Sequence, residues 1–141
     1  FEEQTRGFTS RLAKSRNWIF HQVEFPVIDC EFIGEGVLGL RIKMDCIDWD
    51  ERPPSIELLT PEGNPLPKDQ VPAGTGVYNQ STHKNTQRPF VCMRGSCEYH
   101  THPSHINDPW PQFRGLSGYT LGEILSQLWN AWKKDRKNAT T

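Results

Sequence analysis

The strongest constraint on the fold is a strict alternation of apolar with polar or small residues along Val37–Ile47 (VLGLRIKMDCI). Apolar side chains fall at every second position, namely Leu38, Leu40, Ile42, Met44 and Cys46. Because the side chains of a β-strand alternate between its two faces, this segment is predicted to be an antiparallel strand with one buried face. Cys46 then points into the core, where a thiol is predicted to be inert.

Three other segments are predicted to be strands, and they are Trp18–Cys30, Ser55–Thr60 and Phe90–Met93. The first is rich in β-branched and aromatic residues and is interrupted at Pro26, which cannot donate a ladder hydrogen bond. Residues 1–17 are compatible with an amphipathic helix. Pro61–Gln87 shows no periodicity and is predicted to be a long irregular segment.

The pattern becomes helical after Ile106–Gly118, a strap rich in Pro, Trp and Gly. Thr120 and Glu123 have the spacing of a capping box, a signature of a helix start. Apolar residues then recur at helical spacing on one face: Leu121, Ile124, Leu125, Leu128, Trp129 and Trp132. Residues 121–136 are therefore predicted to be a helix that packs through this face.

Together these elements predict an α+β fold with an N-terminal helix, an antiparallel four-stranded meander sheet, a Trp-Pro strap and a C-terminal helix. The length of 141 residues fits one domain, 1–141, with a basic tail at 133–141. The sequence begins at Phe1 without Met, so we expect a domain that was excised from a longer chain.

Charge and composition narrow the classes of partner. The net charge of −1 gives no electrostatic reason to expect nucleic acid or an anionic membrane as a partner. No apolar run approaches the length of a membrane span. The four cysteines could pair, but no other feature is typical of a secreted protein. We therefore expect reduced thiols and a cytoplasmic location.

The residues most able to do chemistry cluster in Phe90–His105, which holds two cysteines and three histidines. If Cys97–His102 is extended, Glu98, His100 and His102 point to one side, and His105 follows just beyond Pro103. Imidazole and carboxylate are ligands that Zn²⁺ accepts, so these four side chains are a candidate zinc site. The alternative is that the histidines are solvated or hydrogen-bonded to one another.

The order of the motifs resembles that of the ubiquitin-conjugating enzyme family. In that family a Pro-Pro begins a strand, a His-Pro-Asn motif precedes the catalytic cysteine, and a Trp-Pro strap leads into a helix. Here the corresponding residues are Pro53-Pro54, His83-Lys84-Asn85, Cys92 and Trp110-Pro111. Cys92 follows Asn85 by seven residues, close to the interval in the family. Lys84 replaces the motif's proline, and Trp110 lies 18 residues beyond Cys92, a longer gap than usual.

The segment Glu98-Tyr99-His100-Thr101-His102, with a nearby cysteine, also resembles a narrower group of bacterial domains. These are predicted metal-binding domains named for conserved Cys, Glu, His and His. They are associated with operons for ubiquitin-like conjugation. The resemblance implies a bacterial protein that works with a ubiquitin-like protein and an activating-enzyme-like protein.

The conjugating resemblance implies roles for individual residues. Cys92 would be the nucleophile that carries the modifier as a thioester, with Cys97 as the reserve candidate. Asn85, in the motif that begins at His83, would donate a hydrogen bond to the developing oxyanion. His100 or His102 would lower the pKa of the thiol or deprotonate the incoming amine.

Two other functional classes compete with conjugation. Tyr99-His100-Thr101-His102-Pro103 resembles the His-x-His-Pro motif of JAB-type zinc peptidases, but Trp110 and Phe113 occupy the positions of the expected serine and aspartate. The remaining alternative is a non-catalytic interaction module stabilised by metal. In that module Glu98 and the three histidines, together with Cys97 or Cys92, would clamp the long loop.

Overall fold

The computed structural model describes residues 1–139 and contains one main sheet between helical segments. The helices are α1 (Glu2–Thr5), α2 (Ser10–Arg16), α3 (Cys97–His100) and α4 (Leu121–Asp135). The main sheet has four antiparallel strands in the order β1 (Trp18–Glu24), β2 (Val27–Phe32), β3 (Leu40–Asp45) and β4 (Ser55–Leu59). A small second sheet pairs β5 (Tyr78–Asn79) with β6 (Phe90–Val91). Single 3₁₀ turns lie at Lys68–Gln70, Pro103–His105 and Trp110–Gln112.

This order confirms the predicted α+β class, with helices before the sheet, an antiparallel meander and a C-terminal helix. The first predicted strand is divided, because the chain reverses at Phe25-Pro26 and forms the hairpin of β1 and β2. Proline lacks the N–H that a continuing ladder needs, so a turn is a natural place for it. Within residues 1–139, none of the helices combines the length and the apolar composition that a membrane crossing requires.

The core lies between the inner face of the sheet and α4. Alternate residues of β3 are buried, as the sequence predicts, and Ile42 faces Cys30 on β2 and Leu58 on β4 in the register. The predicted apolar face of α4 covers them, and its buried residues include Leu121, Ile124, Leu125, Leu128 and Trp132. Trp132 packs on Phe32 with ring centroids 5.8 Å apart. Each such side chain contributes about 1.5–3 kcal/mol by leaving water.

The predicted N-terminal cap of α4 is confirmed. The Thr120 hydroxyl oxygen accepts a hydrogen bond from the Glu123 N–H at 3.1 Å, and the hydroxyl donates to Glu123 Oε1 at 2.9 Å. At the other end, the buried Asp135 accepts a hydrogen bond from the backbone N–H of Thr75 at 2.9 Å. The Tyr78 hydroxyl donates to the carbonyl of Leu128. The long irregular segment is therefore fastened to α4.

The segment predicted to be extended, Cys97–His102, begins instead as the short helix α3, so that prediction is wrong. Ser96 caps the turn, since its hydroxyl accepts a hydrogen bond from the Tyr99 N–H at 3.1 Å. Gly95 enters the turn with a φ of +102°, and a Cβ there would meet Ile124 of α4 at 3.2 Å. A left-handed backbone pressed against a core helix favours glycine, and it sets the direction in which α3 leaves the sheet.

Candidate functional site

The helical turn α3 separates the side chains that were predicted to share one face. Successive residues of a helix point about 100° apart, so Glu98 and His100 cannot line up as they would on a strand. His102 lies beyond the end of α3, where it caps the next turn. Across residues 1–139, no group of three or more His, Cys, Asp or Glu side chains is placed to hold a metal ion. The predicted ligand set of Glu98, His100, His102 and His105 is therefore not assembled, and each member has a different environment.

Glu98 fastens α3 to the edge strand β4. Its carboxylate is buried and accepts hydrogen bonds from the Ile56 N–H at 2.8 Å and from the Ser55 hydroxyl at 2.7 Å. The Cys97 N–H donates to the Pro54 carbonyl at 2.8 Å beside it. Burial raises the pKa of Glu98 above its ordinary value, although both hydrogen bonds oppose that change. These contacts make Glu98 a structural clamp.

His100 is held by hydrogen bonds at both ring nitrogens. Its Nε2 accepts from the Gly95 N–H at 3.0 Å, so the proton lies on Nδ1, which donates to the Asp108 carbonyl at 2.8 Å. Burial lowers the pKa of His100 and favours this neutral tautomer. A metal could bind this ring only after one of the two hydrogen bonds broke.

His83 has a similar structural environment. It is 1% exposed, its Nδ1 accepts from the Asn85 N–H at 3.0 Å, and its Nε2 donates to the Glu98 carbonyl at 2.9 Å. His83 therefore holds the turn that follows it against α3. Asn85 is exposed, and its side chain makes no hydrogen bond with any residue in 1–139. Its predicted oxyanion role stays a prediction.

Cys92 and His105 form the one thiol–imidazole contact among the described residues. The Cys92 Sγ lies 3.5 Å from Nε2 of His105, and both side chains are half-buried. The Cys92 N–H donates to the Val77 carbonyl at 2.7 Å, which fixes the thiol at the end of β6. Burial raises the pKa of the Cys92 thiol. A protonated thiol beside an imidazole can pass its proton to that ring when it attacks an electrophile.

The sequence contained little that would pair His105 with Cys92. His105 was predicted to be a metal ligand because it follows His102 closely. The contact arises because Pro103 starts a 3₁₀ turn, capped by the His102 side chain, which carries His105 back over the end of β6. A proline directly after a polar residue was the available signal for that turn.

Cys97 and His102 lie outside this contact. Within residues 1–139, no hydrogen bond joins the Cys97 thiol to an imidazole. Its pKa is raised mainly by burial and further by Glu98, while Arg52 lowers it. The His102 Nδ1 accepts from the Ser104 N–H at 3.2 Å, and its ring stacks on Phe90 with centroids 5.6 Å apart. Cys92 is therefore the better candidate nucleophile of the two half-buried thiols.

Part of this chain is similar in sequence to known proteins. Residues 71–135, from before β5 to the end of α4, match the model of the family described as Y4jH-like. An uncharacterised protein, y4jH, of the bacterium Sinorhizobium fredii (strain NBRC 101917 / NGR234) is 28% identical over 117 residues, which cover 65% of this chain. The chain spans 57% of the length of that relative. The matched region contains both Cys92 and His105.

Proposed function

We propose that this protein transfers acyl groups through Cys92, as a bacterial ubiquitin-conjugating-like protein that carries a modifier as a thioester. The observation that carries the proposal is the 3.5 Å contact between the Cys92 Sγ and the His105 Nε2, at a position that solvent reaches. Nucleophile and base within reach of one another are the minimum that covalent acyl transfer requires.

The transfer begins with a modifier held as a thioester on an activating-enzyme-like partner. The Cys92 thiol gives its proton to Nε2 of His105, and the sulfur attacks the carbonyl carbon of that thioester. A new C–S bond forms as the partner's C–S bond breaks, and the partner's sulfur takes the proton from His105 and leaves as a thiol. In the second half, an acceptor amine attacks the Cys92 thioester and gives one proton to His105. An amide bond forms as the C–S bond breaks, and the Cys92 sulfur takes that proton and is released as a thiol.

His105 is the residue that makes these two transfer steps feasible at neutral pH. Burial raises the pKa of Cys92, so little thiolate exists at rest, and a base is needed at the moment of attack. The exposed Asn85 is the candidate donor to the oxyanion, a contact worth about 2.7–4 kcal/mol in a protease oxyanion hole. His83 supports that role indirectly, because it accepts the Asn85 N–H and shapes the turn.

The fold supports the same proposal. A helix, a four-stranded antiparallel meander, an irregular segment, a thiol-bearing segment, a Trp-Pro strap and a long helix follow one another in the order that the resemblance implies. The expected partners are a ubiquitin-like protein and an activating-enzyme-like protein, and the expected location is cytoplasmic.

A zinc site and a JAB-type peptidase stay predictions, and no arrangement of side chains within residues 1–139 favours either of them. Both include His100 among the ligands, and its two nitrogens are engaged by Gly95 and Asp108. The metal-stabilised module would also need Glu98, whose two oxygens accept from Ile56 and Ser55. These residues do not fit a zinc ion without breaking contacts that hold α3 in place.

The proposal is tested with a peptide that ends in a diglycine thioester, used as a minimal acyl donor. Intact-mass spectrometry is expected to show one acyl group on the protein, located on Cys92 and removed by a reducing thiol such as dithiothreitol. Cys92→Ser should give no adduct that dithiothreitol removes, whereas Cys97→Ser should behave as the parent protein. An adduct on Cys97, or equal labelling of Cys92→Ser, would contradict the proposal.

A further inference from the structure

The ring of His105 is held by an aromatic stack. In a nucleophile–base–acid triad a third group bonds to the second nitrogen of the base and sets its orientation. Within residues 1–139, no carboxylate forms a hydrogen bond with His105. Instead the ring of Tyr99 lies face to face with the imidazole, with centroids 3.8 Å apart and planes 16° from parallel.

Tyr99 is itself fixed at both ends. Its backbone N–H donates to the Ser96 hydroxyl, and its own hydroxyl donates to Asp108 Oδ2 at 2.6 Å. Arg94 donates to the same carboxylate oxygen at 2.8 Å. The hydrogen bond from Tyr99 and the one from Arg94 lower the pKa of Asp108, so the acceptor stays ionised at neutral pH.

The same aspartate also restrains the base through the backbone. The Asp108 N–H donates to the His105 carbonyl at 3.0 Å, so Asp108 joins the main chain of His105 to the hydroxyl of Tyr99. The ring of His102 borders the imidazole with centroids 5.9 Å apart. His105 is therefore confined by a stacked ring on one face and by an anchored backbone.

We infer that Tyr99 is a positioning residue that acts through His105. Its ring, tethered through the hydroxyl to Asp108, keeps the imidazole plane oriented so that Nε2 faces the Cys92 Sγ. This inference rests on the proposed function in which Cys92 is the reacting thiol. A stack fixes the plane of the imidazole and leaves its second nitrogen without a carboxylate. Tyr99 thus supplies the orientation that a triad acid supplies elsewhere, by packing rather than by charge.

The test is a double-mutant cycle on the rate at which iodoacetamide alkylates Cys92. The background is Cys97→Ser, so that one half-exposed thiol remains. At neutral pH we expect His105→Gln and Tyr99→Leu each to slow alkylation about tenfold, the effect of a 1.36 kcal/mol change in barrier. In the His105→Gln background, Tyr99→Leu should have no further effect, because the residue it positions is gone.

A purely structural role for Tyr99 gives a different result. It would slow alkylation to the same degree whether or not His105 is present, and that additive outcome would overturn the inference, as would an unchanged rate in Tyr99→Leu. Tyr99→Phe provides a second cycle that keeps the ring and removes the tether to Asp108. Tyr99→Phe should slow alkylation of Cys92 less than Tyr99→Leu does, and this effect should also vanish when His105 is replaced by Gln. Thermal melting of every variant checks that it is folded.

The outcomes separate this inference from the proposed function. If the diglycine thioester labels Cys92 but Tyr99 and His105 are not coupled, acyl transfer stands and the positioning role fails. If the two residues are coupled but no acyl adduct forms, the positioning role stands and the proposed function fails.

Discussion

The body formed by the main sheet and α4 differs from the segment Pro89–Asp108 in what determines its structure. In the body, a residue's environment follows from its place in a repeating pattern: alternate residues of β3 are buried, and one face of α4 covers them. In the segment, the polar side chains are placed by particular contacts, as Glu98 is by a hydrogen bond from Ile56 and His100 by one from Gly95. Periodicity predicts the first kind of structure and carries little information about the second.

The cysteines show the same difference. Cys46 is 1% exposed, and burial raises the pKa of its thiol to about 12, which agrees with its predicted place in the core. Cys92 is half-buried beside an imidazole, and its neighbours come from a 3₁₀ turn that alternation does not describe. A cysteine on a patterned strand is thus easier to classify than one in an irregular segment.

The largest expected effect is in the body. Trp132→Ala should lower the free energy of unfolding by about 3–5 kcal/mol, because it opens a cavity between α4 and Phe32. Trp129→Ala is the matched control on the same helix, since that side chain is only half-buried and its cost should be much smaller. Urea denaturation measures both, and equal losses would mean that Trp129 is packed as deeply as Trp132, against the difference in their burial.

Much of the fold followed from the sequence because one face of each main element is apolar. The strand Ser55–Thr60 and the helix 121–136 match β4 and α4 to within one residue at their ends. The division of the first strand at Pro26 was harder to predict, because both arms of the hairpin have the composition of strands. Proline signalled an interruption, but the reversal depends on pairing between residues on either side of the turn.

The next effect tests whether Glu98 is a clamp. Glu98→Ala should cost about 1–3 kcal/mol, because it leaves the buried N–H of Ile56 without an acceptor. Glu98→Gln keeps one carbonyl oxygen for that N–H and removes a charge that burial disfavours, so it should be close to the parent protein. Thermal unfolding of the two variants gives the difference. A loss as large in Glu98→Gln would show that the negative charge itself is needed.

Less of the candidate site could be predicted. The sequence identified the segment and named both Cys92 and His105, but the conjugating interpretation gave them separate roles, as nucleophile and metal ligand, and only the metal-stabilised alternative placed them together. The assumption of an extended chain is the source of the wrong ligand set, because Glu98 and His100 lie on the short helix α3. Ser96, three residues before Tyr99, and Gly95 before it were the local signals for a capped turn. The stack of Tyr99 on His105 depends on the tertiary path of the chain and has no sequence signature.

An alkaline pH series distinguishes the two kinds of thiol. Burial holds the pKa of Cys46 above its ordinary value of 9.0, so the unfolded chain loses that proton first as the pH rises. The stabilisation is complete below about pH 9 and is lost as the pH rises toward 12, at no more than about 1.4 kcal/mol per pH unit for each such thiol. Cys46→Ala should make unfolding free energy fall less steeply with pH than in the parent, whereas Cys92→Ala should change the slope less. Identical slopes in both variants would contradict this difference in burial.

The smallest expected effect is that of a metal chelator. If Glu98 and His100 serve only as hydrogen-bonding groups, EDTA should leave the melting temperature of the parent protein unchanged. Zinc at a free concentration a hundred times its dissociation constant would stabilise the fold by about 2.7 kcal/mol. Chelation would remove that stabilisation and lower the melting temperature. His100→Ala provides the comparison, because it should lower the melting temperature by removing the partner of the Gly95 N–H, with or without EDTA. A melting temperature that falls with EDTA in the parent but not in His100→Ala would restore the zinc site and reverse the interpretation of this segment.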